Sequence, residues 1–235
     1  MAHFLLIHGA SHGAWCWDKV LPALTAHGHS AEAIDLPGHG ADRAPRKSVR
    51  MADYQRATEA ALRPGTILVG HSFGGFPITL AAASTPGKVR ALVYLCALVP
   101  RPGQAFRDWR SEAISPSVSE AQVIDREAGV ARILPEKAGA VFYSGCTDAD
   151  RAAALARVTP QPIAVMTEPV EFTPPEVPRH YIRCLNDKVV FPDYQRAASA
   201  GWAQTHDLDA GHSPFLEMPE ALARILDRIG AEPNA

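Results

Sequence analysis

Long apolar runs are missing from this sequence, and no stretch approaches the roughly 20 residues that cross a bilayer, so no membrane association is expected. Charge of one sign is equally scarce. Twenty-three Lys and Arg stand against 25 Asp and Glu, a formal net charge of −2, which gives no positive field for a nucleic-acid backbone. The opening Met1-Ala2-His3 runs straight into Phe4-Leu5-Leu6-Ile7. It lacks the cationic start and small-residue cleavage site of a secretory leader, so these residues read as a first strand and the location as cytoplasmic. Cysteine is sparse: Cys16, Cys96, Cys146 and Cys184 show no zinc-type spacing, which predicts reduced, mostly buried thiols and no metal centre. None has the glycine-flanked setting of an activated nucleophile.

What is present is a chain of 235 residues with 47% hydrophobic content, enough for one large domain with a small insertion. Short β-type runs alternate with helical patterns: Phe4–Ile7, a helix around Lys19–Ala26, Ser30–Asp35, a helix over Asp53–Leu62, Thr66–Val69, another helix, then Ala91–Leu95. Such alternation predicts an α/β fold with a doubly wound, mostly parallel sheet and its site at the carboxyl ends of the strands. Residues 101–177 break the rhythm. They hold eight of the 20 prolines, no convincing strand, and helical candidates near Ser119–Ala128 and Asp148–Val158. Their scattered aromatic residues predict a mainly helical lid, inserted into a core made of residues 1–100 and 178–235. The sheet resumes at Arg179–Leu185 and Ala203–Leu208. An amphipathic helix closes the chain over Pro219–Ile229, with Leu222, Ile225, Leu226 and Ile229 on one face.

The densest chemical signal is Thr66-Ile67-Leu68-Val69-Gly70-His71-Ser72-Phe73-Gly74-Gly75. A β-run ends in Gly-x-Ser-x-Gly and opens onto a helix, the pattern of a nucleophile elbow, in which the flanking positions need almost no side chain because strand and helix pass close together. A serine hydroxyl needs a base, and the base needs an orienting acid. His212, in the loop after the last strand, is the expected base. Asp187, directly after the penultimate strand, is the expected acid; Asp193 reads as the start of a helix, while Asp207 and Asp209 are too near His212 in sequence. For the oxyanion, one donor is expected from the Phe73 N–H at the helix start. The second is expected from the small-residue loop His8-Gly9-Ala10-Ser11-His12-Gly13, with Ala10 N–H as the candidate. His8 and His12 are not expected to bind metal, because Gly9 and Gly13 interrupt any helix that would align them. His71 is expected to pack or hydrogen-bond.

The segments Ile7-His8-Gly9-Ala10-Ser11-His12-Gly13-Ala14-Trp15-Cys16-Trp17, Asp35-Leu36-Pro37-Gly38-His39-Gly40, Gly70-His71-Ser72-Phe73-Gly74-Gly75 and Ala210-Gly211-His212 resemble the α/β-hydrolase superfamily. Within it they resemble the branch of plant methylesterases, salicylate-binding esterases, hydroxynitrile lyases and bacterial pyrethroid-hydrolase-like esterases. The resemblance implies the same roles for Ser72, His212, Asp187, Ala10 and Phe73, with no cofactor and no metal. Hydroxynitrile lyases of this branch carry threonine after the first-loop histidine and lysine after the catalytic histidine. Here those positions hold Gly9 and Ser213. The expected function is therefore a serine carboxylic ester hydrolase acting on small to medium apolar or aromatic esters, with His12, Trp109, Phe142 and Met166 as candidate pocket residues. A lyase, a lactonase, a C–C hydrolase and a small-ligand receptor are the alternatives. The composition is compatible with a homodimer and with a monomer.

Overall fold

The computed structural model describes residues 1–232. The first four strands are β1 (His3–Ile7), β2 (Ser30–Ile34), β3 (Thr66–His71) and β4 (Val89–Leu95). Between them lie the helices Val20–Ala26, Met51–Ala60 and Gly75–Ser84. Three short strands follow, β5 (Gln122–Asp125), β6 (Val130–Ile133) and β7 (Gln161–Pro162), before β8 (Arg179–Cys184) and β9 (Gln204–Leu208) return to the main sheet. That sheet has six strands in the order β2-β1-β3-β4-β8-β9, and every neighbouring pair is parallel.

Parallel strands need crossovers, and right-handed crossovers that reverse direction after β2 put helices on both faces. Helices Val20–Ala26 and Pro219–Ala231 pack together, as do Met51–Ala60 and Gly75–Ser84. Covered on both sides, the central strands carry apolar residues at consecutive positions. Phe4, Leu5, Leu6 and Ile7 of β1 and Ile67, Leu68 and Val69 of β3 are all fully buried. The edge strand β2 is half-exposed throughout most of its length. The expected closing helix runs over Pro219–Ala231, with Leu222, Ile225, Leu226 and Ile229 buried.

Two expectations about residues 101–177 need correction. The segment contains a three-stranded sheet, β5-β6-β7, and the helix expected at Ser119–Ala128 is instead a short helix, Pro116–Glu120, followed by β5. β5 and β6 form an antiparallel hairpin closed through Gly129, whose φ of 68° lies in the left-handed region that glycine adopts without strain. Strands of four residues are too short for a period of two to stand out, and Glu127, Ala128 and Ala131 supply a helix-like composition. The second expected helix is present as Asp148–Leu155.

Candidate active site

The loops that follow β1, β3, β8 and β9 meet at the carboxyl end of the sheet, beside the point where the strand order reverses, which is where open α/β sheets bind ligands. At the end of β3 the chain turns through Ser72, a non-glycine residue at φ 53°. The turn is compressed: a Cβ on Gly70 would lie 2.5 Å from the Gly74 carbonyl oxygen, and one on Gly74 would lie 2.8 Å from the carbonyl oxygens of Ile7 and His8. The Ser72 carbonyl accepts from Leu98 N–H at 3.0 Å. The backbone is thus fixed on both sides of a hydroxyl that faces the cavity.

His212 follows β9 and Asp187 follows β8. Both are buried, and His212 Nδ1–H donates to Asp187 Oδ2 at 2.9 Å. This leaves Nε2 as the ring's free nitrogen. The carboxylate is saturated: Oδ1 accepts from the N–H groups of Val189 at 2.7 Å and Val190 at 3.0 Å, and Oδ2 accepts from Gln195 Nε2 at 3.1 Å. Four donors hold the buried charge in place, the condition under which an ionised carboxyl tolerates burial. The other acids considered from the sequence are engaged elsewhere, Asp193 with Arg196, Asp207 with Arg183 and Asp209 with Asn186.

Ser72 and His212 line one cavity of about 60 Å³, together with Ala10, Phe73, His12 and His71 from the strand ends. Among the described residues the Ser72 hydroxyl makes no hydrogen bond, and the N–H groups of Ala10 and Phe73 donate to no protein acceptor. A free donor at a helix start, Phe73, and one in the loop after β1, Ala10, lie on the same cavity as the serine and are suited to an anionic oxygen. His12 is locked as one tautomer, with Nδ1–H donating to Ala10 carbonyl at 2.8 Å and Nε2 accepting from Tyr143 hydroxyl at 2.9 Å. Burial lowers its pKa to about 3. His71 donates from Nε2 to the His212 carbonyl at 2.8 Å. Burial, reinforced by the nearby His212 and His12, holds it well below the usual imidazole range. Both rings are neutral scaffolding.

The His8–His12 spacing does not form a metal pair. His8 spends Nδ1–H on Gly9 carbonyl at 2.8 Å and Nε2 on Leu36 N–H at 3.0 Å, so it has no lone pair to share with His12. Among the described residues, one group of potential ligands, His71, Cys96 and His212, lies close enough for an ion. It is this same site: His212 Nδ1 is on Asp187 and His71 Nε2 on a carbonyl, which leaves His71 Nδ1 and His212 Nε2 without a protein partner among the described residues. All four cysteines are free and buried. Burial raises their pKa values, that of Cys146 to about 12, which leaves them inert as nucleophiles.

Of the four pocket candidates, His12, Phe142 and Met166 line the cavity and Trp109 does not. Trp109 lies behind the wall. It stacks on Phe76 and Tyr194 with centroids at 6.1 and 5.8 Å and meets the cavity-lining Phe106 edge-on at 5.3 Å. An aromatic in an irregular segment gives no clue to its direction, and here three other rings took it. Sequence reasoning missed Phe106, Arg110 and Gln122 on the cavity wall, and Gln195 behind Asp187.

The parallel sheet with helices on both faces is that of an α/β-hydrolase, and the chain belongs to the Alpha/beta hydrolase family, whose model matches residues 4–225. Its relatives include Methylesterase 7 of Arabidopsis thaliana, 32% identical over 96% of this chain and 95% of that protein. Norfluorocurarine synthase 1 of Strychnos nux-vomica is 29% identical over 97% and 94%. Among solved structures, a pyrethroid hydrolase from Sphingobium faniae superposes with a TM-score of 0.87, at 28% identity over 99% of this chain and 98% of that one. These likenesses place the chain among α/β-hydrolase enzymes of the carboxylesterase type. No helix among the described residues is long and apolar enough to cross a membrane.

Proposed function

We propose that this protein is a serine carboxylic ester hydrolase with Ser72 as nucleophile, His212 as general base and acid, and Asp187 as the orienting carboxylate. The observation that carries this reading is the buried 2.9 Å His212–Asp187 contact, whose imidazole opens onto the same cavity as the elbow serine. In the acylation step Ser72 Oγ attacks the ester carbonyl carbon while His212 Nε2 takes its proton. The charge that forms on the carbonyl oxygen is met by the N–H groups of Ala10 and Phe73. As the tetrahedral adduct collapses, His212 returns the proton to the departing alcohol and the acyl group stays on Ser72. Water, deprotonated by the same imidazole, then releases the acid. Asp187 keeps Nδ1–H in place and steadies the imidazolium in both halves.

Residues 101–177 act in this reading as a lid over the core formed by 1–100 and 178–235, of which 233–235 lie outside the described residues. Support comes from Phe106, Ile114, Val118, Ile133, Phe142 and Met166, all on the cavity wall. Such walls favour small to medium apolar or aromatic esters, and the four free thiols suit a cytoplasmic setting. The lyase alternative is disfavoured by more than residue type. A Cβ on Gly9 would lie 2.8 Å from His71 Nδ1 and 2.9 Å from Ser72 Cβ. Ser213 is buried, with its hydroxyl donating to the Phe142 carbonyl at 2.9 Å. A side chain at Gly9 would press on Ser72, and lysine in place of Ser213 would lose the bond to the Phe142 carbonyl, so Gly9→Thr with Ser213→Lys is expected to disrupt the site and to gain no mandelonitrile cleavage.

The test is active-site labelling together with turnover. A fluorophosphonate probe should mark Ser72 and no other serine by peptide mapping. Ser72→Ala, His212→Ala and Asp187→Asn should each lower 4-nitrophenyl acetate turnover by roughly 10⁴- to 10⁶-fold, and the triple variant should lose little more than the worst single one, because the three act as a unit. Labelling that survives in Ser72→Ala would refute the assignment.

A further inference from the structure

The cavity beside Ser72 contains one permanently charged side chain, and the reaction proposed above gives it no part. Arg110 contributes to the lining and is half-buried. Its Nη2 donates to Ser119 Oγ at 3.0 Å, but among the described residues no carboxylate lies within 4.0 Å of the guanidinium. The nearest acids in sequence are committed, Asp108 to Arg107 and Glu112 to Arg101. Partial burial lowers the Arg110 pKa, the mark of hydration lost without an anion gained, although an arginine remains charged at any physiological pH. The bond to Ser119 lies at the exposed end of the side chain, so Arg110 runs from solvent to the cavity wall with no carboxylate beside it.

The surroundings make the mismatch sharper. His12 and His71, the neighbouring imidazoles of the lining, are held neutral by burial. Around them Ile114, Val118, Ile133 and Val189 are apolar, and the Gln122 side chain is the other polar group contributed by residues 101–177. Nor is Arg110 free to leave. The preceding Trp109 is fully packed, stacked on Phe76 and Tyr194 and edge-on to Phe106. The main chain that carries the guanidinium is therefore anchored, and Ser119 fixes one of its nitrogens. What Arg110 offers is a planar fork of N–H donors with no carboxylate partner, on a side chain that lines an apolar cavity, the geometry that a carboxylate meets with two parallel hydrogen bonds.

We infer that Arg110 recognises an anionic group of the substrate, and that the preferred esters carry an ionised carboxylate away from the scissile bond. This rests on the serine-esterase reading and narrows it to a substrate class: monoesters of dicarboxylic acids, with the carboxylate on the acyl side, or esters of hydroxycarboxylic acids, with it on the alcohol side. In either case one end of the substrate is held by Arg110 and the other presents its carbonyl to Ser72. Arg110 is a specificity residue and takes no part in proton transfer.

Two matched pairs of substrates test this. Monomethyl glutarate against methyl pentanoate places the charge on the acyl side; 4-acetoxybenzoate against 4-methylphenyl acetate places it on the alcohol side. The wild type should favour the anionic member of at least one pair in kcat/KM, and that pair names the side. Arg110→Met should lower the anionic-to-neutral ratio by about ten- to hundredfold, the range of a hydrogen bond to a charged group, mainly through KM. Arg110→Lys should recover part of the ratio, and a folding defect would lower both members alike without moving it. Neutral esters preferred in both pairs, or an anionic preference that Arg110→Met leaves in place, would overturn the inference and leave the esterase intact. If the wild type cleaves none of the four, the esterase reading fails. Calorimetry with monomethyl glutarate on Ser72→Ala then decides separately, since binding at least tenfold weaker in Ser72→Ala/Arg110→Met supports the anion site and equal binding refutes it.

Discussion

Ser72 and the histidines around it illustrate how far a residue's chemistry is set by what its backbone and ring atoms are already doing. Ser72 sits at φ 53°, where few non-glycine residues go, and a strained position held by its surroundings is a recurrent property of reactive side chains. The histidines of the first loop have the opposite design. His8 and His12 are fully buried, with burial lowering their pKa values to about 4 and about 3. Unfolded, each would titrate near 6.5. The unfolded state therefore binds more protons than the native state between about pH 6.5 and the depressed values, so stability falls as pH drops through that window, by up to about 1.4 kcal/mol per pH unit for each ring. Urea midpoints measured at pH 7, 6 and 5 should decline progressively, and the decline should be shallower in His12→Gln. A midpoint that stays level from pH 7 to 5 would show that these rings are not buried neutral.

Among the elements, the loop after β8 and the helix Pro192–Ala198 behave as one unit, and Gln195 is its hinge pin. Its amide donates to Asp187 Oδ2 at 3.1 Å and Val190 carbonyl at 2.9 Å, while its Oε1 accepts from Cys184 N–H at 2.8 Å. Gln195→Leu keeps much of the volume but leaves buried groups unpaired, each costing about 1–3 kcal/mol, and it loosens the carboxylate that orients His212. The expected result is a lower unfolding midpoint together with a loss of roughly ten- to hundredfold in kcat, the scale of a misplaced catalytic group. A variant that loses stability but keeps full kcat would show that Gln195 serves the fold alone. Nothing in the sequence marks Gln195, because one glutamine in a short amphipathic helix has no periodicity or spacing to set it apart. The Gly-x-Ser-x-Gly turn was legible for the contrary reason: Gly70 and Gly74 are local requirements of tight backbone and therefore visible locally, while His212 was legible from its place in the loop between the last strand and the closing helix. β5 and β6 were not, since strands of four residues are specified by pairing across a hairpin, and Val123 and Ile124, which look like core residues, are 49% and 52% exposed. Trp109 and Arg110 are adjacent in sequence and serve different ends, one packed and one facing the cavity, a distinction that only the tertiary arrangement creates.

Taken as a whole, the molecule joins residues 101–177 to the strand-end loops by buried polar contacts. Tyr143 hydroxyl reaches His12, the Gln161 side chain accepts from Ser11 N–H at 3.0 Å, Thr159 N–H donates to Ser11 carbonyl at 2.8 Å, and Phe142 carbonyl receives Ser213 hydroxyl. Outer ion pairs add to this, Lys19 with Asp150 and Arg157 with Asp18, although exposed pairs contribute at most about 1 kcal/mol each. A segment tied at so many points does not open as a free flap, and its apolar side chains leave a cavity of about 60 Å³, well below the roughly 300–1,000 Å³ of pockets that enclose drug-sized ligands. Acyl chain length should therefore matter more than hydrophobicity. Along 4-nitrophenyl acetate, butyrate, hexanoate and octanoate, kcat/KM should peak at the short members and fall by about tenfold or more at the long end, although each added methylene would gain about 0.8 kcal/mol by burial in an open apolar groove. Tyr143→Phe removes the hydroxyl that satisfies His12 Nε2 and loosens this closure, so the same series should become flatter, with the long esters gaining relative to acetate. A wild-type profile that climbs steadily with chain length would mean that residues 101–177 yield readily to substrate and that the closed cavity does not set the size limit.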